Sequence, residues 1–253
     1  LPLRLAGPGL VYGSESFPSA LESIVNFFSH PPTLMRRFAY GVFFSLLLCA
    51  TATRAHAQDR IRQTRDVDAF TEVAFNVPGT LYLRQGEAQS VEIEAEQAVL
   101  DHVETVVEDG TLKIRDDDDF FDRMFGDRDE DEVEVYVTAS TLEVISIAGS
   151  GKVVGETPIE STSLALENAG SGEMDLEVVA SDLRTSIAGS GTVRLRGTTD
   201  AFDIQIAGSG TIRALDLTAS TAEIKVAGSG DTHLHVTDSL SAQIMGSGDV
   251  EYR

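Results

Sequence analysis

The chain has 253 residues, 42% of them hydrophobic, with 41 acidic and 19 basic side chains and a formal net charge of −22. A surface this acidic repels nucleic acid and anionic membranes, so we expect neither as a partner. The single cysteine excludes a disulfide framework.

An export signal is predicted at residues 35–57. A Met-Arg-Arg sequence at 35–37 precedes an apolar run too short to span a bilayer, and Ala-His-Ala at 55–57 fits a cleavage site. We expect Met35 to be the true start and residues 1–34 to be translated upstream sequence, with a genuine N-terminal extension as the alternative. Cleavage predicts an exported protein, periplasmic or extracellular, with no membrane-spanning segment after residue 57.

Cys49 lies at the end of the apolar run, so an alternative prediction is that a lipid is attached to it and anchors the protein. Lipoprotein processing requires a small residue just before the cysteine, whereas Leu48 stands there. Ordinary cleavage after residue 57 is therefore the favoured expectation, and it leaves the exported chain without cysteine.

Short strands are predicted after a flexible polar lead-in at residues 58–68. Alternating apolar and polar residues indicate the strands, at 70–77, 80–83, 91–95, 110–114 and 133–137. Pro78-Gly79 marks a turn between the first two strands. The spacing within 97–107 is mixed and fits either a short helix or a turn.

An acidic loop is predicted at residues 116–132, which hold ten acidic side chains against two arginines. Clustered carboxylates suit Ca²⁺, and the candidate ligands are Asp116, Asp118, Asp127, Asp129 and Asp131. The segment lacks the spacing of an EF-hand loop. A solvated acidic loop is therefore the favoured interpretation, and no cofactor is expected.

A Gly-Ser-Gly motif occurs six times at intervals of 18 to 21 residues. The repeat glycines, expected at structural corners, are Gly149, Gly151, Gly170, Gly172, Gly189, Gly191, Gly208, Gly210, Gly228, Gly230, Gly246 and Gly248. Apolar residues recur at even distances from these glycines, which is the period of a β-strand with one inward side. A repeat near this length indicates one structural unit stacked on itself.

We therefore predict an all-β fold, a single-stranded parallel β-helix or β-solenoid that forms one domain over residues 69–253. The right hand is favoured because parallel crossovers have it. The alternative is an antiparallel β-sandwich, which needs turn signals about every 8–12 residues. Hairpin strands have no reason to repeat residue for residue, so the repeats favour the solenoid.

The motifs resemble one bacterial family. The Ile-Ala-Gly-Ser-Gly repeats, Val-Pro-Gly-Thr-Leu-Tyr-Leu at 77–83 and Val-Glu-Asp-Gly-Thr-Leu-Lys-Ile at 107–114 are similar to the putative auto-transporter adhesin head domains, also called GIN domains. The resemblance spans residues 70–253 and implies an extracytoplasmic parallel β-helix. It implies no catalytic residues.

Three groups of polar side chains in the repeats are weighed as sites. The corner serines should stack in a row, to contact a glycan or, as we favour, to hydrogen-bond their own corner backbone. His233 and His235 face one side, where Asp231 would complete a metal site; exposed side chains without metal are favoured, because no third histidine or cysteine accompanies them. Asn168 interrupts an aliphatic inward column and must be hydrogen-bonded if buried.

Three functions follow from this pattern. We favour a non-enzymatic scaffold for adhesion or cell-envelope contact, with an unidentified surface glycan or protein as partner. The first alternative is a carbohydrate-binding or polysaccharide-lyase-like β-helix, but short repeats leave little room for the long loops of such enzymes. The second is a self-assembling envelope module, a homo-oligomer whose terminal repeat at residues 250–252 pairs with another copy.

Overall fold

The computed structural model describes residues 60–116 and 133–253, which form one 15-stranded sheet wound into a solenoid. The strands are β1 Arg60–Arg65, β2 Glu72–Asn76, β3 Thr80–Gln85, β4 Ser90–Glu96, β5 Val103–Glu108, β6 Thr111–Asp116, β7 Glu134–Ala139, β8 Val144–Gly149, β9 Lys152–Gly155, β10 Ile159–Gly170, β11 Glu173–Gly189, β12 Thr192–Gly208, β13 Thr211–Gly228, β14 Asp231–Gly246 and β15 Val250–Tyr252. A short helix, α1, occupies Gln97–Leu100. The solenoid has about five turns of roughly 20 residues, and we call each turn a rung.

Each long strand pairs in parallel with its copy one rung along. The register places the first glycine of every corner in a single file, through Gly149, Gly170, Gly189, Gly208, Gly228 and Gly246. The predicted parallel β-solenoid is therefore confirmed. Its right hand stays a prediction.

The predicted inward columns form the core. Two residues before the first glycine, Ile187 and Ile206 are each 2% exposed and Val226 is 1% exposed. Ile244 holds the same position in the last repeat and is 41% exposed, because no described rung covers it. Stacking, rather than the sequence of one repeat, therefore decides whether an inward side chain is buried.

Asn168 is the polar exception in this column and is only 2% exposed. Its Nδ2 donates to the carbonyl oxygen of Gly172 at 2.7 Å. Its Oδ1 has no hydrogen-bond partner among the described residues, and neither has the buried Oγ1 of Thr185. Among the described residues, the side-chain amide of Asn168 therefore makes the expected hydrogen bond through Nδ2 but not through Oδ1.

The first rungs are not stacked in chain order. The rung of β2 and β3 lies between the rung of β6 and β7 and the rung of β8 and β9. Just after the Pro78-Gly79 turn, the Thr80 amide donates to the Val133 carbonyl at 2.8 Å, next to the start of β7. The predicted acidic loop, apart from Asp116, lies outside the described residues.

The expected flexible lead-in at 58–68 is corrected by the structure, because it contains β1. This strand pairs antiparallel with β4. Arg62 Nε lies 2.9 Å from Glu92 Oε2, and its guanidinium carbon lies 4.0 Å from the centre of the Tyr136 ring. The carboxylates and aromatic face of the neighbouring strands thus hold a segment whose polar composition alone indicated mobility.

Two further boundaries differ from the sequence prediction. Asp116 is the last residue of β6 and pairs with Val103 of β5, so it does not belong to a loop as predicted. The region 97–107 contains both a helical turn and most of a strand. The predicted upstream segment, signal peptide and Cys49 lie outside the described residues.

The two ends of the solenoid differ. At one end, β5 covers β6, while β4 and then β1 extend the sheet beyond β7, all antiparallel. At the other end, β15 pairs only with residues Thr232 to Leu234 of β14. Within the described part of the chain, the outer edge of β14 at residues 239–246 has no paired strand.

Candidate binding surfaces

The two glycines of a corner meet different steric demands. The first glycine has a positive φ, such as +133° at Gly189, which side-chain-bearing residues rarely adopt. The second glycine lies under an inward side chain of the preceding rung, so that a Cβ on Gly210 would fall 2.5 Å from Ile187 Cγ2. The motif is therefore explained by the stack itself and requires no ligand.

The corner serines line up as predicted, but their hydroxyls make no hydrogen bond to the described residues. The backbone amides satisfy the corner instead: Ser190 N–H donates to the Gly170 carbonyl at 2.9 Å, and Ser209 N–H to the Gly189 carbonyl at 2.8 Å. The expectation that the hydroxyls bond their own corner backbone is therefore wrong, and the hydroxyls face solvent.

The two histidines have separate partners. His233 Nδ1 lies 2.8 Å from Glu251 Oε2, and His235 Nδ1 lies 3.4 Å from Thr218 Oγ1. Across residues 60–116 and 133–253, no group of three or more histidine, cysteine or acidic side chains is placed to hold a metal. Of the candidate calcium ligands, Asp116 ends a strand, while Asp118, Asp127, Asp129 and Asp131 lie outside the described residues.

An acidic groove of about 490 Å³ crosses five successive rungs on the side of the second, less regular corner. Its charged and hydroxyl groups are Ser163, Asp182, Arg184, Asp203, Thr221, Glu223, Ser239 and Ser241. The stacked strands β10 to β14 bring these residues together from five repeats.

Asp203 is the least satisfied side chain of the acidic groove. Its Oδ2 lies 3.4 Å from Arg184 Nε, while its Oδ1 is buried and receives no hydrogen bond from the described residues. Lys225 donates to Glu223 at 2.7 Å and lowers the pKa of that carboxyl below its usual range. The groove therefore presents carboxylate acceptors beside one guanidinium donor.

A second groove, of about 640 Å³, is lined mainly by hydroxyls, and we call it the hydroxyl groove. It is formed by Glu160, Ser161, Thr162, Val179, Ala180, Ser181, Thr198, Thr199, Asp200, Thr218 and Ser220. Two of its hydroxyls bond the backbone nearby, Ser161 to the Ser163 carbonyl at 2.9 Å and Thr199 to the Ala201 carbonyl at 3.0 Å. Exposed hydroxyls such as that of Thr198 remain open to a partner.

Sequence reasoning missed both grooves because it followed the columns that repeat. Arg184, Asp203 and Glu223 occupy one outward column, five residues before a corner glycine, but their identities change from repeat to repeat. If the repeats had been aligned and their outward positions compared for opposite charges, the sequence would have predicted that Arg184 lies beside Asp203.

The fold and these surfaces define a class: a repeat-built parallel β-solenoid whose polar grooves run across its rungs. Within this class, the family model described as "Putative auto-transporter adhesin, head GIN domain" matches residues 69–253. The chain belongs to this family. None of the curated protein sequences matches it significantly.

Solved structures share the fold at low sequence identity. A putative adhesin from Bacteroides fragilis is 20% identical, with a TM-score of 0.67, and the match covers 78% of this chain and 98% of that one. A putative lipid binding protein from Parabacteroides distasonis is 23% identical, with a TM-score of 0.58 and the same coverage. A putative adhesin from the same species is 17% identical, with a TM-score of 0.51, again over 78% and 98%. These likenesses establish the architecture alone.

The described residues contain no helix that is both long and apolar enough to cross a membrane.

Proposed function

We propose that this protein is an exported, non-enzymatic scaffold, periplasmic or extracellular, that binds a neutral glycan of a cell surface or envelope through the acidic groove. The observation that carries the proposal is the Arg184–Asp203 pair, which leaves one buried carboxylate oxygen without a donor among the residues that the structure describes. A sugar hydroxyl is a suitable donor for that oxygen, because it reaches a narrow site and carries no charge.

The chemistry of the groove favours a polyhydroxylated partner. Carboxylates accept hydrogen bonds from hydroxyls, a guanidinium donates to them, and hydrogen bonds to charged groups are stronger than neutral ones. An acidic glycan is disfavoured, because Asp182, Asp203 and Glu223 line the groove of a chain with a net charge of −22. The partner is therefore a neutral sugar polymer.

The shape of the surface also supports this proposal. The acidic groove crosses several rungs of a rigid stack, so a polymer can contact equivalent strand positions in succession. The family name and the names of two structural neighbours refer to adhesion, which is consistent with contact between surfaces.

Binding of the exported protein to a panel of neutral and acidic polysaccharides, measured by calorimetry, tests the proposal. We expect a neutral polysaccharide to bind, and Asp203→Ala or Arg184→Ala to weaken that binding roughly tenfold to a hundredfold through loss of a charged hydrogen bond. The matched controls are Asp175→Ala and Arg196→Ala, which break a 2.8 Å ion pair outside both grooves and should leave binding unchanged.

Failure of every neutral polysaccharide to bind, or an equal loss in the control variants, would refute the glycan assignment. Sustained cleavage of a polysaccharide in excess Ca²⁺ would contradict the non-enzymatic role. Binding to lipid vesicles in place of polysaccharide would favour the chemistry named for the lipid binding protein of P. distasonis.

A further inference from the structure

The outer edge of β14 at residues 239–246 differs from every other surface of the described solenoid. The inward residues Leu240, Ala242 and Ile244 continue columns that are buried in the preceding repeats, yet Ile244 is 41% exposed. On the outward side, Met245 is 64% exposed. The edge therefore presents unpaired backbone groups and the end of the apolar core together.

This edge also lacks the features that normally prevent strands from pairing. Residues 239–248 contain no charged residue and no proline, in a chain with a net charge of −22. The opposite end of the sheet is protected differently, since β1 carries Arg60, Arg62 and Arg65 and β5 carries Glu104 and Glu108. Charged side chains on edge strands are a common barrier to further pairing, and the β14 edge has none.

We infer that the β14 edge at residues 239–246 is a dimer interface, which pairs antiparallel with the same edge of a second copy. A two-fold axis at Ala242 places Leu240 opposite Ile244 of the partner subunit, so the inward columns meet across the junction. The same register places Asp238 opposite Gly246 of the partner subunit, so the two Asp238 side chains lie at opposite ends of the junction. The two cores then become continuous, and the exposed end of each stack is covered.

A head-to-tail stack fits the structure less well. It would require β14 to meet β1 or β5, where one uncharged apolar edge would face a charged edge that is already antiparallel in its own sheet. Self-pairing also closes after two copies, whereas head-to-tail pairing would continue into a filament. The second copy is therefore docked tail to tail.

Sedimentation equilibrium of the exported protein over a range of concentrations tests this inference. We expect a monomer–dimer equilibrium, and Ile244→Lys should weaken dimerisation more than about tenfold because it buries a charge in the junction. Ala188→Lys is the matched control: it adds the same charge at an exposed outward position in β11 and should leave dimerisation unchanged. Circular dichroism checks that both variants retain the fold.

Cysteine cross-linking provides a second, independent measurement. Ala242→Cys stands on the proposed axis, where directly opposed Cα atoms of antiparallel strands lie about 4.5–5.5 Å apart, within disulfide reach. Mild oxidation should convert this variant to a covalent dimer and leave Ala188→Cys without a covalent cross-link. A wild-type protein that stays monomeric at all concentrations, or a dimer indifferent to Ile244→Lys, overturns the inference. So does equal cross-linking of the two cysteine variants.

Discussion

At the residue scale, each corner depends on two glycines for separable reasons. Gly208 has a φ of +129°, and a Cβ there would meet the carbonyl oxygen of Gly189. Gly210 is constrained by contact with Ile187 above it. Gly110 offers a contrast, because its φ is +81° but nothing lies within 4 Å of a Cβ.

We expect Gly208→Ala to lower the free energy of unfolding by roughly 3 kcal/mol, since backbone strain and overpacking add. Gly110→Ala should lower the free energy of unfolding by about 1 kcal/mol, because there the backbone strain is not accompanied by overpacking. Urea denaturation of both variants measures the difference. Equal losses would show that close stacking of the corners contributes nothing.

Tyr136 provides a second test at this scale. Burial, followed by a hydrogen bond from its hydroxyl to the Glu134 carboxylate at 2.8 Å, raises the pKa of Tyr136 to about 12. The raised value means that its contribution to stability is complete below the ordinary tyrosine pKa of about 10 and is lost as the pH rises toward 12.

We therefore expect the ultraviolet titration of the wild type, minus that of Tyr136→Phe, to show a tyrosinate step near pH 12. The loss of stability at alkaline pH should also be shallower in the variant. A difference step at the ordinary tyrosine pKa of about 10 would show that Tyr136 is not half-buried and hydrogen-bonded to Glu134 as described.

At the element scale, the rungs beyond the first few are equivalent in sequence but not in environment. Ile206 and Ile244 occupy the same inward column, with exposures of 2% and 41%. We expect Ile206→Ala to cost about 3 kcal/mol and Ile244→Ala less than about 1 kcal/mol in the dissociated monomer. Thermal denaturation at low protein concentration measures both, and similar losses would mean that Ile244 is covered in the monomer.

The repeating elements were predictable, because their inward columns keep one period and their glycines keep one spacing. The elements that escaped prediction depend on partners distant in sequence. The strand β1 forms because Arg62 pairs with Glu92 and packs on the ring of Tyr136. The residues of β1 do not by themselves show the alternating pattern that predicts a strand. The insertion of β2 and β3 between two later rungs likewise follows from pairing, which the order of the sequence conceals.

The acidic groove was unpredictable for a related reason. Arg184 and Asp203 are 19 residues apart and become neighbours only through the register of β11 and β12. The register itself was implied by the corner glycines, so the pairing could be derived once the stack was accepted. The burial of Asp203 Oδ1 could not be derived from the sequence in this way, because it depends on the packing of the irregular corner.

At the scale of the whole molecule, the proposed dimer must form against a net charge of −22 on each chain. Salt screens repulsion between the two acidic bodies, while the uncharged junction itself is insensitive to it. We therefore expect the dimer to tighten as the ionic strength rises from low to physiological values. Sedimentation equilibrium in a salt series measures the trend, and dimerisation that weakens with salt would indicate a junction held by ion pairs.

Equivalent residues of successive repeats stack along one axis, and the grooves and the interface depend on this stack. Electron-spin distances between label pairs at exposed positions test this most directly, on a monomeric Ile244→Lys background without Cys49. Pairs linking Ala148 to Ala207, to Ala227 and to Met245 lie three, four and five rungs apart. We predict that the distance increases by about 4.8 Å for each added rung. Distances that fail to increase with rung number would contradict the stack, and the grooves and interface built on it.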